Sequence, residues 1–329
     1  MNTTLLARVP FLADVPADRL RADLPLLQPF SVGPDEVLIQ EGEVDDALLI
    51  ILEGSVQVEV GDPALVVAEA RAGEILGETA LFRPAWRREA TLRTQTACRI
   101  IVLGGPAIAA LRSAGSPTLA AIERHALQSI ARRLRRVALN APPEVLEALP
   151  DDAPPSLLSR LTSWLWGEGA RAHPQQPPDV EACLAQAFPD LPPAVCAALA
   201  QDFTAEPFFA EQPIASTEEH APPLRILAAG QVELRDPRGP AFEQRVVGRL
   251  GPGDLIDPVR AVHGHMGQTM AVAQTWGWTL TLPRDVLQQR LRDATPQGQA
   301  LRRILYDALF ADLVARNTAW HERWIRRAA

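Results

Sequence analysis

Lysine is absent from this sequence: all 32 basic residues are arginine. Schiff-base and other amine chemistry is thereby excluded. The guanidinium group, which keeps its charge and donates along two parallel directions, is the sole strong side-chain cation available. Cysteine is scarce as well. Cys98, Cys183 and Cys196 are odd in number, form no C-x-x-C pair and stand among apolar neighbours, so a disulfide framework is not expected and buried reduced thiols are. No apolar run reaches membrane-spanning length, and the first residues, Met1-Asn2-Thr3-Thr4-Leu5-Leu6, lack a basic stretch leading into an apolar one. A cytoplasmic protein without a membrane span is expected. The net charge of −8 counts against a protein built to grip nucleic acid.

Catalytic patterns are missing too. There is no nucleophile–base arrangement, no pair of carboxylates within a supporting motif and no Walker-type loop, so no enzyme is expected. His263-Gly264-His265 has no accompanying ligand cluster, and loop histidines are expected there, not a metal site.

What is present fits a soluble globular chain, with 47% hydrophobic and 22% charged residues. A length of 329 residues points to two domains. Residues 5–25 read as short helices, punctuated by Asp14 and Pro16. From Phe30 to Leu103 short β-forming runs, such as Leu48–Leu52, Val56–Val60 and Cys98–Val102, are broken by Gly, Pro and Asp, the pattern of a sandwich or barrel. After Gly104-Gly105-Pro106 the helical period returns. Leu119, Ile122, Ala126, Ile130, Leu134 and Val137 draw one apolar stripe, with Arg124, Arg132, Arg133, Arg135 and Arg136 on the other faces. Residues 140–180 are rich in proline and read as a linker. Within it, Leu157, Leu158, Leu161, Trp164 and Leu165 share one face of a short helix, suited to docking on a neighbouring domain or on a partner or membrane surface.

The second half repeats the first in weakened form. Leu191-Pro192 answers Val15-Pro16, and Gly230 answers Gly54, both at a separation of 176 residues (191 − 15 and 230 − 54). Gly253-Asp254-Leu255 answers Gly73-Glu74-Ile75 at 180 (253 − 73), which implies a lengthened hairpin between them. The chain then runs into a second amphipathic helix with Leu301, Ile304, Leu305, Leu309, Leu313, Trp320 and Trp324. The expected architecture is mainly β with helices: two tandem jelly-roll barrels, each followed by a long helix. They would occupy residues 1–139 and 181–329.

The sharpest local signal is Leu76-Gly77-Glu78-Thr79-Ala80-Leu81 followed by Arg88-Glu89-Ala90-Thr91. A glycine-led turn into a short helix presents backbone N–H groups to an anion, and an arginine ten positions past the glutamate supplies a two-pronged donor for phosphate oxygens. With Glu41-Gly42-Glu43, Gly54 and Gly73 in the same order, residues 5–138 resemble the cyclic-nucleotide-binding domain shared by the catabolite activator protein, the regulatory subunit of protein kinase A and cyclic-nucleotide-gated channels. The resemblance implies that Glu78 takes a ribose hydroxyl, Arg88 the phosphate, and Gly77, Thr79 and Ala80 the backbone contacts. Glu89, Ala90 and Thr91 complete the cassette. It implies no cofactor but a cAMP or cGMP ligand, and dimerisation through the helix at 116–139.

Glu89 departs from the family pattern, in which Ala, Ser or Thr follows the arginine. Its carboxylate either repels the phosphate, with Arg83 or Arg87 in compensation, or accepts guanine protons and favours cGMP. An empty pocket in which Glu78 pairs with Arg88 is the competing reading. In the second copy Asp257, Pro258 and Gln268 stand where Gly77, Glu78 and Arg88 stood, so no nucleotide is expected there. No helix-turn-helix follows either domain. The sequence therefore points to a non-enzymatic sensor of a cyclic nucleotide acting on an unidentified protein partner. The alternative is a ligand-independent adaptor that uses both barrels as binding surfaces.

Overall fold

A computed structural model describes Leu6 and residues 9–140, 176–216, 222–236, 246–264 and 269–328, with the backbone alone at 135–140 and 315–328. Most of the linker, its Trp164 helix, His265 and Gln268, and the side chains of Val137, Trp320 and Trp324 lie outside the described residues. The chain divides into two compact units, Met1–Ala126 with Arg292–Thr295 and Leu127–Leu291 with Pro296–Ala329.

In the first unit a 3-10 turn (Pro10–Leu12) and helix α1 (Ala17–Asp23) precede eight strands: β1 (Pro29–Val32), β2 (Val37–Ile39), β3 (Leu48–Glu53), β4 (Ser55–Val60), β5 (Leu65–Arg71), β6 (Ile75–Leu76), β7 (Thr91–Thr94) and β8 (Cys98–Leu103). Helix α2 (Thr79–Phe82) interrupts them, α3 (Gly105–Ser113) comes after β8, and α4 (Pro117–Asn140) begins in this unit and continues beyond Ala126. The strands form two antiparallel four-stranded sheets, ordered β1-β8-β3-β6 and β2-β7-β4-β5. Ile39, Leu49, Ile51, Val56, Leu92 and Ile100 pack together as one buried core. The alternation of a jelly roll is thus realised as two facing sheets, not as one closed ladder.

The second unit begins with α5 (Val180–Ala187), capped by the Asp179 carboxylate, and α6 (Pro193–Ala200). Its strands are β9 (Thr204–Phe208), β10 (Pro213–Ala215), β11 (Leu224–Ala229), β12 (Val232–Arg235), β13 (Val246–Leu250), β14 (Leu255–Ile256), β15 (Met270–Ala273) and β16 (Gly277–Leu282). Helix α7 (Pro258–His263) lies between β14 and β15; α8 (Arg284–Arg292) and α9 (Pro296–Ala328) close the chain. The sheets are ordered β9-β16-β11-β14 and β10-β15-β12-β13, the first unit's topology strand for strand.

The repeat extends to register and backbone conformation. Leu49 pairs with Leu76 in the first unit and Arg225 with Ile256 in the second, keeping the separations of 176 and 180 residues (225 − 49 and 256 − 76). The Gly73 N–H donates to Ile51 O at 2.8 Å, and the Gly253 N–H to Leu227 O at the same distance. Pro16 and Pro192 each precede the first turn of a helix with nearly equal ψ, 134° and 138°. Gly54 and Gly230 turn the β3–β4 and β11–β12 hairpins at φ +90° and +97°. At Gly54 an added Cβ would lie 2.5 Å from Ala97 O and 2.7 Å from Cys98 Sγ, so glycine is required by space as well as by dihedral.

On α4, Leu119, Ile122, Ala126, Ile130 and Leu134 are all buried. On α9, Leu301, Ile304, Leu305, Leu309 and Leu313 are buried likewise. Arg302, also buried, donates from Nη1 to Leu291 O at 3.2 Å, satisfying a carbonyl at the end of α8.

These contacts can be tested at two positions. Gly54→Ala is expected to cost more than about 1 kcal/mol in urea unfolding, and Gly61→Ala distinctly less. Both glycines have positive φ, but a Cβ at Gly61 meets only Pro63 O at 3.9 Å. Equal losses would show that dihedral strain, not the Ala97 contact, matters at Gly54. The second position is Asp254, whose carboxyl is pushed above its usual 3.8 by burial, against the opposing hydrogen bond from the Gly251 N–H. A carboxyl with a raised folded pKa stabilises only while protonated, so this contribution is present at low pH and is lost as pH climbs from the unfolded value through the folded one. Asp254→Asn keeps an acceptor for Gly251. Its second unit is expected to melt above wild type at pH 7, with the difference shrinking as pH falls towards 3.8.

Candidate functional site

The cassette begins where β6 ends. Gly77 adopts φ +72°, and a Cβ there would lie 2.8 Å from Ala47 O and 3.0 Å from Arg88 Nη1. Both the turn and the close approach of the arginine therefore demand glycine. Glu78, 8% exposed, is the residue before α2. Ala80, Leu81 and Phe82 are buried and anchor that single turn, while Thr79 is half-buried.

Arg88 reaches the same place from another direction. Its backbone is fixed by pairing with the 42–44 segment: the Arg88 N–H donates to Glu43 O at 2.8 Å and Gly42 N–H to Arg88 O at 2.9 Å. The side chain is 7% exposed. Nη2 donates to Ala47 O and lies 3.1 Å from Asp45 Oδ2. Nε is buried without a hydrogen-bond partner. A guanidinium cannot shed its charge, so an unused N–H held away from water is a cost that a bound acceptor would relieve.

The remaining cassette residues divide in role. Glu89 is exposed and accepts from Trp86 Nε1 at 3.3 Å, and the Arg83 guanidinium sits 5.3 Å over the Trp86 ring. Its carboxylate is thus engaged on the outer surface, beside a cation. Thr91 is buried, and its hydroxyl accepts from Gln40 Nε2 at 3.1 Å and from the Glu41 N–H at 3.0 Å, tying β7 to the loop before β3. Ala90 is half-buried. The structure brings Gly77 and Arg88 into contact, places Glu78 at the mouth of α2, and turns Glu89 outward. The carboxylate that pairs with Arg88 is that of Asp45, a partner the sequence did not reveal. Its one signal was the pair Asp45-Asp46 shortly after Glu41-Gly42-Glu43.

The far end of α2 is also held by an arginine. Arg112 Nη2, on α3, donates to Leu81 O at 2.6 Å and to Glu123 Oε1, on α4, at 2.9 Å. The Glu123 side chain is 3% exposed. One nitrogen therefore links the cassette to the long helix.

In the second unit Asp257 takes the place of Gly77 and keeps the left-handed turn, at φ +49°. Arg260, on α7, is 2% exposed; its Nε lies 3.0 Å from Asp257 Oδ2, and its Nη1 donates to Ser216 O. Among the described residues there is no group of three or more metal-ligating side chains and no helix long and apolar enough to cross a membrane.

Several known proteins are similar to all or part of this chain. Residues 29–114 match the cyclic nucleotide-binding domain family. A curated protein of Rhodopseudomonas palustris, named as a putative potassium channel protein, is 31% identical over 113 residues, which is 34% of this chain and 27% of that protein. The chain thus spans about a quarter of the length of this relative. Among solved structures, a cyclic nucleotide-binding domain from Methylobacillus flagellatus is 22% identical, with 41% of this chain and 80% of that chain covered and a TM-score of 0.36. The regulatory domain of Toxoplasma gondii PKA with cAMP is 14% identical, with 88% and 91% covered and a TM-score of 0.31. The turn at Gly77 and the inward Arg88 both fall within residues 29–114, the segment that matches the cyclic nucleotide-binding domain family.

Proposed function

We propose that the first unit binds cAMP or cGMP and that the chain is a non-enzymatic cytoplasmic regulator, which passes occupancy of that site to a protein partner. The observation that carries this reading is the buried Arg88 guanidinium, with an unused Nε and a counter-charge, Asp45, whose side chain is 37% exposed. A counter-ion at the rim is screened by water and is readily exchanged for a phosphate that brings two acceptor oxygens. In this reading Arg88 holds the phosphate, Glu78 accepts from the ribose hydroxyl, and the Gly77, Thr79 and Ala80 backbone borders the ligand. Ala90 and Thr91 support the wall. Glu89, engaged with Trp86, no longer opposes the phosphate, and its choice between the two bases is decided by experiment.

Transmission is assigned to Arg112. Arg112 bridges Leu81 O on α2 and the Glu123 carboxylate on α4, so a movement of α2 towards a ligand is passed to α4 through that guanidinium. The functional domains are residues 1–139 and 181–329, joined by 140–180. The ligand-independent adaptor reading applies best to the second unit, where Asp257 and Arg260 already engage each other.

In a thermal-shift titration one of the two nucleotides is expected to stabilise the wild-type protein, by about 2.7 kcal/mol at a hundred times its Kd, and Arg88→Gln is expected to abolish the shift. No shift with either nucleotide, in a folded protein, would overturn the reading. The paired substitution Arg112→Met with Glu123→Leu removes both charges of this bridge. It is expected to leave nucleotide affinity within a few-fold of wild type, while ligand no longer changes amide exchange along 117–134. A ligand response in α4 that survives the pair would remove Arg112 from the route.

A further inference from the structure

The turn that enters β14 keeps a carboxylate of the first unit and loses its cation. At a separation of 180 residues, Asp254 stands where Glu74 stands and Gly251 where Arg71 stands (254 − 74 and 251 − 71). Backbone bonding supports the match: Glu74 N–H donates to Arg71 O at 3.0 Å, and Asp254 N–H to Gly251 O at 3.1 Å. Each carboxylate accepts in return from the first residue of its turn. Glu74 Oε2 takes the Arg71 N–H at 2.7 Å, and Asp254 Oδ2 the Gly251 N–H at 2.8 Å. The Arg71 guanidinium, paired with Glu69 at 3.0 Å, is held charged by Glu69 first and by Glu74 as well. Glycine at 251 supplies no such charge, and among the described residues the Gly251 N–H is the only donor to the Asp254 carboxylate.

A second exchange lies on the helix beside it. Ala187 stands where Phe11 stands, at a separation of 176 (187 − 11). The turn bond from Val15 N–H to Leu12 O reappears as Leu191 N–H to Phe188 O, both at 3.0 Å. Phe11 is buried and stacks on His125, with 4.3 Å between ring centroids. Ala187 carries only a methyl group and borders a cleft of about 490 Å³, its open mouth included. Ile226 and Leu280, buried and paired across β11 and β16, form the apolar floor. Cys183 and Gln186 of α5 line one side, and Asp254 lines the other; no arginine or histidine is among the described lining residues. The local field is negative as well: the Cys183 thiol is pushed above its ordinary range by burial first and then by Asp179. A carboxylate desolvated there, with one backbone donor, lacks the cation that would favour its charged form.

We propose that this cleft binds a small organic ammonium ion, with its charged head on the Asp254 carboxylate and its aliphatic chain on Ile226 and Leu280. A divalent metal ion takes about six oxygen ligands, and the described residues gather no group of three metal-ligating side chains. An alkylammonium asks for less. One carboxylate gives its head a charge-assisted hydrogen bond, and an apolar floor covers its chain while the head stays near water. The site lies on the face of β11 opposite to the one that carries Leu227 into the core. The second unit, where no nucleotide is expected, thus answers to a ligand of another class.

The test uses the full chain with n-butylammonium chloride as the probe. Sodium chloride at equal ionic strength is the reference, and n-butanol is the uncharged analogue. Hydrogen exchange of peptides covering 180–187 and 251–256 is the readout. In wild type at pH 7, millimolar n-butylammonium is expected to slow exchange several-fold in both segments, and n-butanol at the same concentration to leave it unchanged. Asp254→Asn keeps an acceptor for the Gly251 N–H, and Ala187→Phe returns the residue of the first unit to the wall of the cleft. Each is expected to abolish the protection. Equal protection by n-butanol, protection that survives Asp254→Asn, or a folded wild-type protein indifferent to the ammonium would overturn the proposal. Both segments belong to the second unit, so the outcome is read separately from nucleotide binding by the first.

Discussion

A guanidinium stays charged at any pH a protein meets, so wherever a fold buries one it must also supply acceptor oxygens and a counter-charge. In a chain whose every basic residue is arginine, that requirement shapes both halves. Arg88 draws Ala47 O and Asp45 into the first cassette and forces residue 77 to be glycine. Arg260 draws Ser216 O and Asp257 into the second and lets residue 257 carry a side chain. The two sites share topology, register and turn geometry. They differ in the exposure of the carboxylate beside the guanidinium, 37% for Asp45 and 15% for Asp257.

Arginine also connects each cassette to the helix beyond its barrel. The carbonyls of Leu81 and Ala261 occupy equivalent positions and each accepts from an arginine of the next helix, Arg112 or Arg284. In the first unit that arginine also holds Glu123 on the long helix.

Much of this was legible in the sequence. The order of Gly54, Gly73 and Gly77 reflects turns that need positive φ, and the structure places all three there. The repeat, with its change of separation from 176 to 180, reappears in the pairing of Arg225 with Ile256. The stripe from Leu119 to Leu134 is buried as its spacing required. What escaped were the partners of charges. Asp45 meets Arg88 from 43 positions away, a contact that depends on how the loop before β3 folds back, and no local periodicity encodes it. Glu89, which reads as a threat to a phosphate, faces outward because Trp86 takes its carboxylate. In the second unit the sequence shows the loss of the Arg88 equivalent but not its replacement, because Arg260 sits at a position that is alanine in the first copy.

The proposed exchange of Asp45 for a phosphate at Arg88, with no such site expected in the second unit, implies one nucleotide per chain. Isothermal titration calorimetry of the full chain with cAMP and with cGMP measures it directly. A single nucleotide per chain is expected for whichever of the two binds. Two per chain, or no binding of either by the folded protein, would contradict the proposal.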